Sequence, residues 1–113
     1  MATITLTQNS ATIGSTQYYL AANSPVPSWQ TADVILQVYL DLGALAAGDE
    51  FDIKIYEKTD GTNPEVIYYA KVQGAQSYTW VSPSFILGVG WDVSITKIAG
   101  TDRSIYWTLA KIG

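Results

Sequence analysis

The stretch Phe51-Asp52-Ile53-Lys54-Ile55-Tyr56 decides the fold class of this chain. Successive side chains of an extended strand point to opposite faces, so Phe51, Ile53 and Ile55 share one side while Asp52, Lys54 and Tyr56 share the other. A strand with one apolar and one polar face belongs to an antiparallel sheet buried on one side. The same alternation runs from Val66 to Val72 and from Trp91 to Ile95.

Working outward, Phe51 to Lys58 and Glu65 to Val72 are joined by Thr59-Asp60-Gly61-Thr62-Asn63-Pro64. Asp-Gly supplies the positive backbone angle of a tight turn, which makes this pair a hairpin. Upstream, Val34, Leu36, Val38 and Leu40 alternate with Ile35, Gln37, Tyr39 and Asp41. Both faces are apolar near the start of that strand, which predicts burial on both sides there. Leu42 to Ala47 has the length of one helical turn, but Gly43 and Gly48 stand too close together for a lasting helix, and it reads as a short crossover. Downstream, Ser77 to Val81 and Phe85 to Leu87 are short strands, and Trp91 to Ile98 is expected to form a last hairpin with Ser104 to Lys111 across Ala99-Gly100-Thr101-Asp102-Arg103.

The amino-terminal part has another character. Gln8 to Gln30 holds no charged residue and is dense in Asn, Ser, Thr, Gln and Pro. An early strand over Thr3 to Thr7 and a weak one over Gln17 to Ala21 are expected, then an irregular loop at Asn23-Ser24-Pro25-Val26-Pro27, where two prolines cannot donate to a ladder. The expected organisation is an extended polar arm over residues 1–31 and a β-sandwich body over residues 32–113, removable one from the other. About eight strands at a spacing of about ten residues give an all-β, single antiparallel β-sandwich, jelly-roll or immunoglobulin-like.

Composition excludes several functions. The chain has 113 residues, near the commonest size for one domain. With 48% hydrophobic and 14% charged residues, it is too apolar for a disordered chain. Ten acidic against six basic side chains, with no basic cluster, argue against nucleic acid or an anionic membrane as a partner. Met1-Ala2-Thr3-Ile4-Thr5-Leu6-Thr7 lacks the basic start and apolar run of a signal peptide. The longest uncharged apolar passage before Asp92, Ser82 to Trp91, is too short for a membrane span and is broken by Pro83, Gly88 and Gly90. A chain without cysteine fits synthesis in a reducing cytoplasm.

No residue pattern points to catalysis. There is no histidine to act as general base and no cysteine nucleophile. A serine paired with Lys54, Lys58, Lys71, Lys97 or Lys111 is the remaining nucleophilic arrangement, but lysines alternating along strands more commonly protect edges. Asp60-Gly61-Thr62 has the residues of the aspartic-protease triplet in the wrong order and in one copy, and reads as a turn. Asp49, Glu50 and Asp52 lack the interleaved ladder of a calcium loop. Gly88-Val89-Gly90 has no helix after it to bind phosphate. The chain is therefore expected to be no enzyme, with no catalytic residue, no cofactor and no metal.

Aromatic residues carry the remaining signal. Four tryptophans and eight tyrosines exceed what one small core holds. Tyr68 and Tyr69 must face opposite ways, as must Tyr106 and Trp107. Tyr and Trp turned outward anchor protein interfaces or stack on sugars. The candidate interface residues are Tyr18, Tyr19, Trp29, Tyr69 and Tyr106.

The passage Asp41-Leu42-Gly43-Ala44-Leu45-Ala46-Ala47-Gly48-Asp49-Glu50-Phe51-Asp52-Ile53-Lys54-Ile55-Tyr56-Glu57-Lys58 resembles one found in small β-rich virion structural proteins of tailed bacteriophages. Ser82-Pro83, Gly90-Trp91-Asp92-Val93 and Ala99-Gly100-Thr101-Asp102-Arg103-Ser104 follow in the same order, so the likeness runs from Ala32 to Lys111. This resemblance implies a non-enzymatic capsid decoration or cement protein, made in the host cytoplasm and resident in the virion. It implies the major capsid protein as partner and a homo-oligomer, with a trimer favoured. The family has no catalytic motif to carry over. The alternative reading is a carbohydrate- or receptor-binding β-sandwich of a phage fibre or tail, which requires two or three coplanar exposed aromatics.

Overall fold

The computed structural model describes residues 3–113. It contains β1 (Ile4–Ile13), β2 (Tyr18–Tyr19), β3 (Val34–Asp41), β4 (Glu50–Glu57), β5 (Glu65–Gln73), β6 (Trp80–Val81), β7 (Phe85–Leu87), β8 (Trp91–Ala99) and β9 (Arg103–Ile112), with no helix among the described residues. Sheet I has the order β1-β9-β3-β6, with β7 also pairing β3. Sheet II has the order β2-β8-β4-β5, and all pairings are antiparallel.

Apart from the β4–β5 hairpin and the β6/β7 pair, each consecutive pair of strands lies in different sheets. That alternation is the winding of a jelly roll, whose eight strands form two Greek keys, and it separates the two sandwich types that the sequence left open. The ninth strand arises because one strand is split. Ser82-Pro83-Ser84 interrupts it, since Pro83 has no N–H to donate. Ser82 takes over: its N–H donates to Val38 O at 2.9 Å, and Val38 N donates to Ser82 Oγ at 2.8 Å.

The sheets enclose one core. Leu36, Val38, Leu40, Ile105, Trp107 and Leu109 from sheet I face Phe51, Ile53, Ile55, Trp91, Val93 and Ile95 from sheet II. Each such side chain contributes about 1.5–3 kcal/mol on burial. The alternation from Phe51 to Tyr56 is realised as expected, with the three apolar residues fully buried.

Three expectations need correction. The amino-terminal segment is no separable arm. Ile4 to Ile13 forms a continuous ladder with β9, Ile13 and Leu20 are fully buried, and Ala11, Tyr18 and Ala21 pack against the core. Its polar residues belong to an edge strand and a covering loop, where they stay partly wet without being loose.

The last hairpin does not form either. β8 lies in sheet II and β9 in sheet I, so Ala99 to Arg103 is an arch across the sandwich. Buried Asp49, in the β3–β4 crossover, holds that arch: its carboxylate accepts from Thr101 N at 3.1 Å and Arg103 Nε at 2.7 Å, as well as from Ala46 N at 2.8 Å. These three bonds, with the Arg103 side chain foremost, lower the Asp49 pKa to about 2. A five-residue loop reads alike as hairpin or arch until its long-range partner is known.

Finally, the start of β3 is buried on one face only. Leu36 is inaccessible, whereas Ile35 is 42% exposed.

Candidate interaction surface

With the inner faces committed to the core, function falls to the two outer faces. They are built differently.

The outer face of sheet II carries Asp52, Lys54 and Tyr56 of β4, Tyr69 and Lys71 of β5, and Asp92 and Ser94 of β8. Part of it lies beneath the chain's own segment 17–30. Asp92 is completely buried there, and its carboxylate accepts from Ala21 N at 2.9 Å, Val93 N at 2.7 Å and Ser28 N at 3.3 Å. Burial pushes its pKa above the usual carboxylate range, while those N–H groups act in the opposite sense. Gln30 and Trp91 exchange both backbone hydrogen bonds at 2.9 Å, closing the far end of the segment.

On this cover, Trp29 meets Tyr19 and Tyr56 edge-on or nearly so, with ring centroids 6.0 and 6.1 Å away. Lys58 Nζ stands 5.6 Å from the Trp29 ring, within cation–π range. Gln17 donates to Tyr56 OH at 2.6 Å and to Ser94 Oγ at 2.7 Å. Burial, then the neighbouring Tyr56 and Asp92, raises the Tyr19 pKa. Two further contacts lie on this face: Lys71 pairs with Glu50 at 3.0 Å, and Tyr69 OH donates to Asp52 at 2.8 Å. The carboxylates of Asp49, Glu50 and Asp52 thus each have their own partner, and no group of three metal-ligating residues occurs among the described residues.

The outer face of sheet I has no such cover among the described residues. It presents Ile4, Leu6, Gln8, Ser10 and Thr12 of β1, Ser104, Tyr106, Thr108, Ala110 and Ile112 of β9, and Ile35, Gln37, Tyr39 and Asp41 of β3. Asp41 is its one charge among these strands, and that carboxylate accepts from Gly43 N at 3.0 Å. At one end Ile4 lies opposite Ile112, Ile112 opposite Ile35, and Ile35 opposite Ile86. Strands about 4.8 Å apart make this a row about 14 Å long. Its members are 67%, 37%, 42% and 85% exposed in that order. Leu6 and Val89 are also exposed. At the other end a groove of about 660 Å3 runs between Gln8, Ser10, Tyr39, Asp41, Thr79 and Tyr106. Single exposed apolar residues are ordinary, whereas a contiguous row on a face with one charge is the character of an interaction surface.

The five sequence candidates are dispersed over the molecule. Tyr18 packs its ring 5.8 Å from Trp107 and donates to Asn23 Oδ1, on the core side. Tyr19 and Trp29 are half-buried in the cover of sheet II. Tyr69 is exposed on sheet II and Tyr106 on sheet I, on opposite sides of the sandwich. As alternation required, Tyr68 turns inward against Phe85 and Trp107 is buried. The isoleucine row was missed because its members are distant in sequence and meet only through strand register. Ile35 alone was singled out, as a buried residue.

No protein-family model matches the chain, and no curated protein does. Among solved structures, the chain is similar to a protein from work describing Bacillus endospore appendages as a novel family of disulfide-linked pili. The TM-score is 0.61 at 13% identity, over 97% of this chain and 86% of that one. That likeness bears out the all-β sandwich fold.

Proposed function

We propose that this chain is a non-catalytic structural subunit of the capsid decoration type, which binds the outer surface of a virion through the outer face of sheet I. The observation that carries this reading is the contrast between the outer faces, one partly covered and rich in charges, the other with the single charge of Asp41 on its β1, β9 and β3 strands and an exposed isoleucine row. The resemblance to small virion proteins over Ala32 to Lys111 supports the same reading, with the major capsid protein as partner. Attachment works by multiplicity: many modest contacts on one shell act together, so occupancy exceeds what a single contact gives.

The experiment is co-sedimentation with purified expanded capsids. Wild-type protein is expected to bind at saturating occupancy. Ile86→Asp and Ile35→Asp each place a charge in the row, and either is expected to lower binding at least tenfold while the melting temperature stays close to wild type. Equal binding by both variants sinks the assignment of this face.

A second reading rests on the fold likeness: a subunit of a proteinaceous filament. The pili named in that comparison are disulfide-linked, and these 113 residues contain no cysteine, so such a filament would be held here without that link. Negative-stain microscopy of concentrated protein distinguishes the two, because fibres without capsid binding favour the filament. The groove beside Tyr39 and Tyr106 is where a glycan would stack in the fibre-tip reading. Tryptophan or tyrosine quenching by sugars, without capsid binding, would favour that reading instead.

A further inference from the structure

A sheet edge displays unpaired backbone N–H and C=O groups, and natural sandwiches blunt their edges with short strands, charges, prolines or bulges. Three edges of this molecule are blunted in these ways. β2 has two residues. The β6/β7 edge is two short pieces parted at Pro83. β5 carries Glu65 and Lys71, and its ladder with β4 is irregular at Ile55/Tyr56.

β1 is the exception. Ile4-Thr5-Leu6-Thr7-Gln8-Asn9-Ser10-Ala11-Thr12-Ile13 has ten residues, no charge, no proline and an unbroken register with β9. Gly113 N donates to Thr3 O, which fixes the phase of that ladder. Residues of an antiparallel pair alternate between bonding the neighbour and pointing away from it. Odd-numbered residues of β1 therefore bond β9. The N–H and C=O groups of Ile4, Leu6, Gln8, Ser10 and Thr12 point outward.

We propose that β1 is an interface with a second copy of this chain, joined antiparallel, edge to edge, about a two-fold axis through Gln8. In that register the outward groups of Ile4 meet those of Thr12 in the second copy, Leu6 meets Ser10, and Gln8 meets its own counterpart. A register centred on Asn9 leaves Ile4 without a partner and forms fewer bonds. The occupant is a second copy because the edge is self-complementary: none of the ten acidic and six basic side chains lies in β1 to repel its counterpart. The other long edge, β5, lacks that property. Pairing of this kind is isologous and closes at two copies, so through this edge the oligomer is a dimer. It also joins the two outer faces of sheet I into one continuous surface.

The test joins sedimentation with residue-resolved amide exchange on the full chain. Wild-type protein is expected at twice the 12.3 kDa chain mass, with the Leu6, Gln8 and Ser10 amides protected. Gln8→Pro removes an outward N–H that β9 does not use. It is expected to halve the mass and to expose the Leu6 and Ser10 amides, while the Thr7 and Ala11 amides stay slow. Asn9→Pro, which removes a ladder N–H, is expected to loosen β1 itself. A wild-type monomer with fast Leu6 and Ser10 amides overturns the proposal, as does a dimer that survives Gln8→Pro. Either result leaves the outer-face reading intact if Ile86→Asp still abolishes capsid binding. Conversely, a dimer lost in Gln8→Pro beside unimpaired capsid binding by Ile86→Asp keeps the edge and removes the face.

Discussion

The outer face of sheet II and the outer face of sheet I start from similar material, strands that alternate apolar and polar, and end in opposite states. Sheet II draws residues 17–30 over part of itself, anchors them on buried Asp92, and pairs Lys71 with Glu50 and Tyr69 with Asp52. Among the described residues, sheet I receives no such cover and carries an isoleucine row in the open. Satisfying one face internally leaves the other as the place where binding free energy is still to be gained.

The largest way to break that comparison is to remove the cover. Deleting residues 1–30 takes away β1, β2 and the fully buried Ile13 and Leu20. Loss of each large core side chain costs about 2–5 kcal/mol, against a total stability of about 5–15 kcal/mol for a typical domain. The truncated protein is expected to show no cooperative melting transition, whereas a separable arm would leave it folded.

A smaller break is Asp92→Ala, which leaves the N–H groups of Ala21 and Ser28 in the cover, and of Val93 in β8, without that acceptor. The expected loss is about 3 kcal/mol, read as a fall in denaturant midpoint at constant slope. Asp92→Asn keeps an accepting oxygen and is expected to lose less. The raised pKa of Asp92 means that ionisation opposes folding, so its contribution worsens as pH rises through the folded value.

Asp49 sharpens the contrast from the other direction. Its pKa is lowered to about 2, so its stabilisation is present above the ordinary value of 3.8 and is lost as pH falls towards 2. Asp49→Asn is expected to melt lower than wild type at pH 6 and to close that gap between pH 4 and 2. A gap that stays constant across that window removes the charge of Asp49 from the account of the arch. The smallest effect is expected for Tyr69→Phe, which deletes one exposed hydrogen bond to Asp52 on sheet II: a melting temperature close to wild type.

Much of this architecture was legible in the chain. Phe51 to Tyr56 gave its own faces, Asp60-Gly61 its turn, and the paired Tyr68/Tyr69 and Tyr106/Trp107 their opposite orientations, because period-two geometry is a local property. For Trp29 and Tyr19 the abundance of aromatics was visible, but not that they pack on Tyr56 of a distant strand. Ile35 illustrates the limit best. Its alternation shows that it lies opposite Leu36, and only its place between Ile112 and Ile86 shows that nothing covers it.

By itself, then, the sequence determined an all-β sandwich with no histidine or cysteine chemistry, since strand periodicity and residue inventory depend on neighbours along the chain. The tertiary structure decided that Ala99 to Arg103 is an arch, that residues 3–30 are woven into the sandwich, and that β1 is an open edge. Those depend on contacts such as Asp49 to Arg103 and Ile13 to the core, whose partners lie tens of residues away. No local pattern encodes that distance.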